Sequence, residues 1–265
     1  MSANAAEREL ADRIFAEHQA RKPFQRLRDA SRPANMEAGY RVQDLLNERF
    51  AEAGRGPIAG YKIGLTSEKI RQMCNAHEPI SGVIYQSTVH RSPAALNLAN
   101  YMHLGLEFEL AVKMGRDVPL DAQPLDADSV RDYVAACMPA FELIDDRNAD
   151  FGDLDALSIM VDNSWCGGIV LGEAPHDWQQ LDLKTNPVAM SWNGEFVESG
   201  VTGDAMGHPF ESVAWVAGLL ASQGKQLRAG MIVMTGSTLA TRFPIAGEAC
   251  RYEVEGLGSV SATMS

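Results

Sequence analysis

The sequence predicts an α+β fold, helical at its N-terminus and mainly β beyond it. Two amphipathic helical patterns come first, and short strand-like runs bounded by turn residues dominate from Gly82 onward. The regular strand–helix alternation of a doubly wound parallel sheet is missing, as is any G-x-G-x-x-G fingerprint.

Over residues 7–21 the spacing sets Leu10, Ile14 and Phe15 on one helical face. A second helix, from Asn35 or Met36 to Ala53, turns Ala38, Tyr40, Val42, Leu45, Leu46 and Phe50 toward a core. It stops at Gly54, Gly56 and Pro57, and Ser31-Arg32-Pro33 separates the two helices. GYKIGLTS (60–67) reads as a strand running into a helix over 68–74, with Thr66 or Ser67 as N-cap. Strands follow at 83–85, 107–113, 168–171, 188–192, 231–235 and 251–254, with helices over 128–137 and 209–223. Asn193-Gly194 is a type I′ hairpin signal, and His208 before Pro209 reads as a structural residue at a helix start. The chain thus divides into a helical part, 1–75, packed on a β-rich catalytic body, 76–265, as one continuous unit.

A chain of 265 residues can bury a substantial core, and 46% hydrophobic with 22% charged residues suits a globular protein. The net charge of −12 argues against nucleic acid or an anionic membrane as partner. An anionic substrate would therefore need a local positive centre. Cys74, Cys137, Cys166 and Cys250 form no C-x-x-C pair, which fits buried thiols in a reducing compartment. The first residues hold no apolar leader segment, and no run approaches the length of a membrane span, so a cytoplasmic protein is expected.

Three carboxylates stand in apolar settings. In LGLEFELAV, strand alternation puts Leu106, Phe108 and Leu110 on one face and Glu107 and Glu109 on the other. Glu142 lies in the apolar run 134–144, which contains no Lys or Arg. A carboxylate buried there costs several kcal/mol, roughly, unless a cation meets it. E-x-E is also the ordinary pattern of a sheet's solvated face, and a single Glu can sit on the polar edge of an element. A divalent cation would account for all three, and an all-carboxylate donor set suits Mg²⁺ or Mn²⁺ better than Zn²⁺.

Taken in order, GYKIGLTS, the E-x-E strand, PAFELID (139–145), DNSWCGGIVLG (162–172), GHP (207–209) and the closing TGS…GLGSVSA resemble the 2-keto-4-pentenoate hydratase and 4-oxalocrotonate decarboxylase family of the fumarylacetoacetase-like superfamily. The resemblance covers nearly the whole chain. It implies a mixed β-roll, one Mg²⁺ or Mn²⁺ on Glu107, Glu109 and Glu142, a catalytic role for Lys62, and homo-oligomers, with a complex with a pathway neighbour as a further option. Thr66 and Ser67, closing the motif of Lys62, are assigned with it to the substrate. The bland reading of Lys62 is a strand-edge cation paired with a neighbouring acid.

Such enzymes act on small unsaturated 2-oxo acids from the meta-cleavage of aromatic compounds. The cation chelates the C1 carboxylate and the 2-oxo oxygen as a Lewis acid. Hydration follows protonation at C5 and water addition at C4, whereas decarboxylation follows loss of a distal carboxylate. Lys62 is the candidate proton mover, provided that burial beside the metal lowers its pKa.

Two departures bear on the choice. The hydratases read E-P-D where this chain has Glu78-Pro79-Ile80, a pattern nearer the decarboxylases, and DNSWCGG replaces D-N-A-S-S, so Trp165 and Cys166 stand in the expected substrate pocket. Thr235, Gly236 and Ser237 offer amides and hydroxyls to a substrate carboxylate, or else form a strand-end turn. Asp162 and Asn163 either orient the site or make a routine turn. A distal carboxylate finds only Arg242 or Arg147 as candidate partners, and Arg147 beside Asp145 and Asp146 reads as a structural pair. Hydratase is therefore placed ahead of decarboxylase. An acylpyruvate hydrolase is disfavoured because adjacent His77 and Glu78 point to opposite sides of an extended chain. A non-catalytic partner subunit is disfavoured by the retention of Lys62 and the three Glu residues.

Overall fold

The computed structural model describes residues 3–122, 124–175 and 177–265. Helix α1 (Ala5–Gln19) starts at a capping box, in which the Asn4 side chain accepts the Glu7 amide and Glu7 returns the bond. Helix α2 (Met36–Phe50) is capped by Asn35, and all six of its core-facing residues named above are buried. It runs into a π-helical turn, Ala51–Arg55, ended by Gly54 and Gly56 at positive φ. Both helices pack onto the β structure through Leu10, Ile14, Leu46 and Phe50.

Strands β1 (Ile58–Gly64) and β2 (Ile80–Tyr85) flank α3 (Glu68–Met73). Next come β3 (Val89–Arg91), β4 (Ala94–Leu96) and the long β5 (Leu104–Met114). Helix α4 (Ala127–Val130) leads into β6 (Val134–Asp145), and α5 (Ala156–Val161) into β7 (Cys166–Leu171). The hairpin β8 (Pro187–Trp192) and β9 (Glu195–Val201) precedes α6 (Pro209–Ser222). The chain ends with β10 (Ile232–Ser237), β11 (Ala249–Val254) and β12 (Gly258–Met264).

Two mixed sheets result. The larger runs β2-β1-β10-β5-β6-β7-β3 and the smaller β4-β12-β11-β8-β9. β1/β10, β3/β7 and β4/β12 are parallel and the other pairs antiparallel. An apolar core joins the helices, the small sheet and one face of the large sheet, where Leu106, Phe108 and Leu110 point. A smaller cluster, with Ala111, Met138, Ala140, Ile169 and Met234, occupies the opposite face. β1 belongs to the large sheet, so the first 75 residues share that sheet with the rest. Asn193 and Gly194 both have positive φ in the β8–β9 turn, as a type I′ hairpin requires, and His208 caps α6 by accepting the Phe210 amide at 3.0 Å.

One element departs from expectation. The helix expected over 128–137 is only α4 and a 3₁₀ turn, and residues 134–137 are strand. The Asp126/Ser129 capping box does start a helix. Pairing of Ala136 with Lys113 and Cys137 with Val112, continuous with the whole length of β5, then overrides local helix propensity. Among the described residues no helix is long and apolar enough to cross a membrane.

Candidate metal centre and active-site cavity

Strand register assembles the acids. Glu107 on β5 lies directly opposite Glu142 on β6, and Glu109 follows two residues along on the same face. Glu109 and Glu142 are fully buried and Glu107 half-buried, and the three offer oxygens within 4.8 Å of one another. Lys62 reaches them from β1, its Nζ 2.7 Å from Glu142 Oε1. Gly236 N donates to Glu109 Oε2 at 2.8 Å, and Thr241 Oγ1 donates to Glu107 Oε1 at 3.0 Å. Glu109 Oε1 and Glu142 Oε2 are buried with no hydrogen-bond partner.

Electrostatics shows what the cluster lacks. Burial, then Glu142 and Glu107, push the Glu109 carboxyl well above its usual range. Burial lifts Glu142 to about 7 even though the Lys62 ammonium opposes it. Burial alone would depress Lys62, but Glu142 and Glu107 outweigh it and hold the ammonium above its ordinary value, the reverse of the lowering expected from the sequence. One ammonium against three carboxylates leaves two negative charges unmatched, together with orphaned buried oxygens. A hard divalent cation supplies the missing charge and takes oxygen donors, so the donor set fits such an ion.

Lys62 and Glu107 line a cavity of about 440 Å³, bordered also by Thr66, Ser67, Trp165 and Ser237. Cys166 and Thr235 do not line it. The Thr235 hydroxyl donates to Leu110 O at 2.8 Å, and Cys166 packs with Ile169 and Ile84 in the second apolar cluster. The Gly236 amide, expected to meet a substrate carboxylate, serves Glu109 instead. Ser67 caps α3 and Ser237 accepts the Phe108 amide, so both hydroxyls have local partners as well.

Trp165 enters the cavity from a strained segment. Asn163, Ser164 and Trp165 have φ of 52°, 51° and 57°, a left-handed run that costs free energy at each non-glycine residue. Three attachments over-determine it. Asn163 clasps both backbone groups of Val83, Ser164 donates to Ser81 O, and buried Asp162 binds Arg147 at 2.9 Å and His18 at 2.6 Å. Asp162 and Asn163 therefore anchor the segment that carries Trp165 to the cavity. Arg147 is a structural pair as read, although its partner is Asp162 rather than the adjacent acids, and Arg242 pairs with Glu198 at 3.0 Å.

The sequence reading missed Glu198, Asp204, Thr238, Thr241, Phe151 and Phe243, all of which line the cavity or meet its acids. They come from hairpin and loop positions with no motif of their own. Only Thr238 and Thr241 carried a signal, as hydroxyl residues just beyond TGS.

Comparison with known proteins agrees with this geometry. The model of the fumarylacetoacetate hydrolase C-terminal family matches residues 64–265. A 2-hydroxyhexa-2,4-dienoate hydratase of Comamonas testosteroni is 30% identical over 95% of this chain and 98% of its own. A 4-oxalocrotonate decarboxylase of Pseudomonas putida is 33% identical over 84% of this chain and 83% of its own. The solved structure of 4-oxalocrotonate decarboxylase from Pseudomonas putida G7, complexed with magnesium and adipate, superposes with a TM-score of 0.88. It covers 98% of this chain and 97% of its own, at 28% identity.

Proposed function

We propose, because this chain belongs to the fumarylacetoacetate hydrolase C-terminal family, that it is a divalent-metal-dependent lyase that hydrates 2-hydroxy-2,4-dienoates of the 2-keto-4-pentenoate type in aromatic meta-cleavage catabolism. The observation that carries the choice of hydratase is the charge of the cavity. Among the described residues that line it, Lys62 is the only Lys or Arg, and Lys62 sits at the acids. A substrate's distal carboxylate would meet no further cation there.

Glu107, Glu109 and Glu142 would hold a divalent ion, Mg²⁺ or Mn²⁺, which would supply Lewis acidity for the 2-oxo acid head. The chain's own residues do the rest. Lys62 Nζ is the proton donor to C5, and the 2-hydroxyl gives up its proton as it becomes the ketone, restoring the ammonium and leaving a C3–C4 alkene conjugated with the new carbonyl. Water adds with hydroxyl at C4 and hydrogen at C3. Gly236 N and Thr241 Oγ1 orient Glu109 and Glu107. The same reading includes a cytoplasmic setting, in keeping with four unpaired buried cysteines, and a homo-oligomer, in keeping with exposed Phe196 and Val197 on edge strand β9.

Decarboxylation is the second reading, favoured by Ile80 at a buried, cavity-lining position where a water-activating acid would stand. Paired substrates, with and without a distal carboxylate, decide between them when CO₂ and the ultraviolet absorbance of the dienol are followed together. Hydration predicts loss of absorbance without CO₂. Release of CO₂ from the dicarboxylate without hydrated product would reverse the order.

A further inference from the structure

Resting on that reading, we propose that the outer part of the cavity is a subsite for an uncharged apolar tail, so that the substrates are unsaturated 2-oxo acids extended beyond the five-carbon parent by an alkyl or aryl group. Three rings form its wall. Phe151 lies 6.1 Å from Trp165 and 6.3 Å from Phe243 between centroids, tilted and edge-on respectively. Phe24 backs Trp165 at 5.1 Å and His103 stacks on Phe243 at 4.5 Å, so the outer two rings are fixed from behind.

Exposure singles this wall out. Nine large apolar side chains stay exposed among the described residues. Four of them, Ile70 (44%), Met73 (57%), Phe151 (50%) and Phe243 (42%), border this one cavity. Apolar residues scattered singly over a surface need no explanation, but a continuous rim on a concave site marks a ligand's apolar portion. A five-carbon acid held by its head at Lys62 and the carboxylates has nothing with which to cover these rings. A charged tail is equally unsuited. Beyond Lys62 the lining charges are the acids Glu107, Glu198 and Asp204, and a second carboxylate would be desolvated among them with no cation of its own to meet it.

The test is equilibrium binding of saturated 2-oxo acids, which cannot react, to the Mg²⁺-loaded protein by calorimetry. From 2-oxobutanoate to 2-oxooctanoate the affinity should rise about three- to fourfold per methylene, the increment for burying one CH₂. 2-Oxoadipate should bind at least about tenfold more weakly than 2-oxoheptanoate. Phe151→Ala, a change at a half-exposed ring, and Trp165→Phe should each lower the gain per methylene. A flat series with good binding of the short acids overturns the tail subsite and leaves the hydratase reading intact. Tighter binding of 2-oxoadipate overturns it in favour of a dicarboxylate. Failure of every 2-oxo acid to bind removes both the subsite and the reading beneath it.

Discussion

Lys62 Nζ stands 2.7 Å from Glu142 Oε1 even though two strands, β10 and β5, separate their own strands in the sheet. The side chain lies across the sheet's face, over a fully buried carboxylate. Glu142 thus has its cation, and Glu109 has only an amide. The ion pair and the catalytic reading of Lys62 are compatible, because an ammonium held by one carboxylate of the candidate metal centre is a positioned proton source.

Lys62→Met tests the two roles separately. Turnover should fall by roughly 10²-fold or more, as for loss of a general acid/base, while Mg²⁺ binding persists. Without metal, Glu142 would be left buried and unpaired, so the metal-free variant should melt well below the metal-free parent. Normal turnover with lowered stability would reduce Lys62 to a structural cation.

Glu109→Gln and Glu142→Gln should each abolish activity and most of the Mg²⁺-dependent rise in Tm. The metal-free proteins should stay folded, because each change removes a charge from a cluster in which the carboxylates repel one another. Melting curves with Mg²⁺ and after exhaustive chelation provide the measurement. Full activity of either variant, or of the chelated parent, would remove the metal centre from the mechanism.

The Asp162 network predicts acid sensitivity. Burial would raise this carboxyl, but His18 and Arg147 outweigh burial and depress it. A depressed carboxyl contributes stability above its unfolded pKa of about 3.9, and that contribution is lost as pH falls through the lower folded value. Asp162→Asn should therefore be less stable than the parent at pH 7, with a shallower decline of Tm below about pH 4. Arg147→Leu should cost about 3–5 kcal/mol by stranding a buried carboxylate, and should disturb the Trp165 segment. Parallel acid melting curves for Asp162→Asn and the parent would dissociate this network from acid unfolding.

What the sequence made legible follows its local physics. Alternation exposed the pairing of Glu107 with Glu109, and an apolar run exposed Glu142, because both signals lie within one strand. The cation for Glu142 could not be read, since it depends on the parallel pairing of β1 with β10, about 170 residues away in the chain. The false helix over 128–137 has the same origin, in that the capping box is local and the partner strand is not. Thr235 and Gly236 were singled out for a substrate, but the bulge that breaks the β10–β5 register turns them to Leu110 and Glu109. Phe151 and Phe243 lie in loops, where no periodicity announces a wall.

Ile80 is the position where the choice of reaction can be tested most directly. It is buried, lines the cavity and stands close to Lys62, the proposed proton donor. A Cβ built on Gly64 would lie 3.3 Å from Lys62 Nζ and 3.4 Å from Ile80 Cγ1, so the two side chains flank one small space. In Ile80→Asp the carboxylate would enter that space within reach of the ammonium. Replacing a buried Ile removes apolar packing, and a loss of stability of about 2–5 kcal/mol is expected. With Mg²⁺ bound, the new acid can hold a water on the cavity side, so hydration measured by dienol loss and by the 4-hydroxy-2-oxo product should be held or gained per folded molecule. If hydration collapsed while Mg²⁺ binding and the fold survived, the apolar side chain at position 80 would itself be required for hydration, and an acid at this position would be ruled out as the group that holds the water.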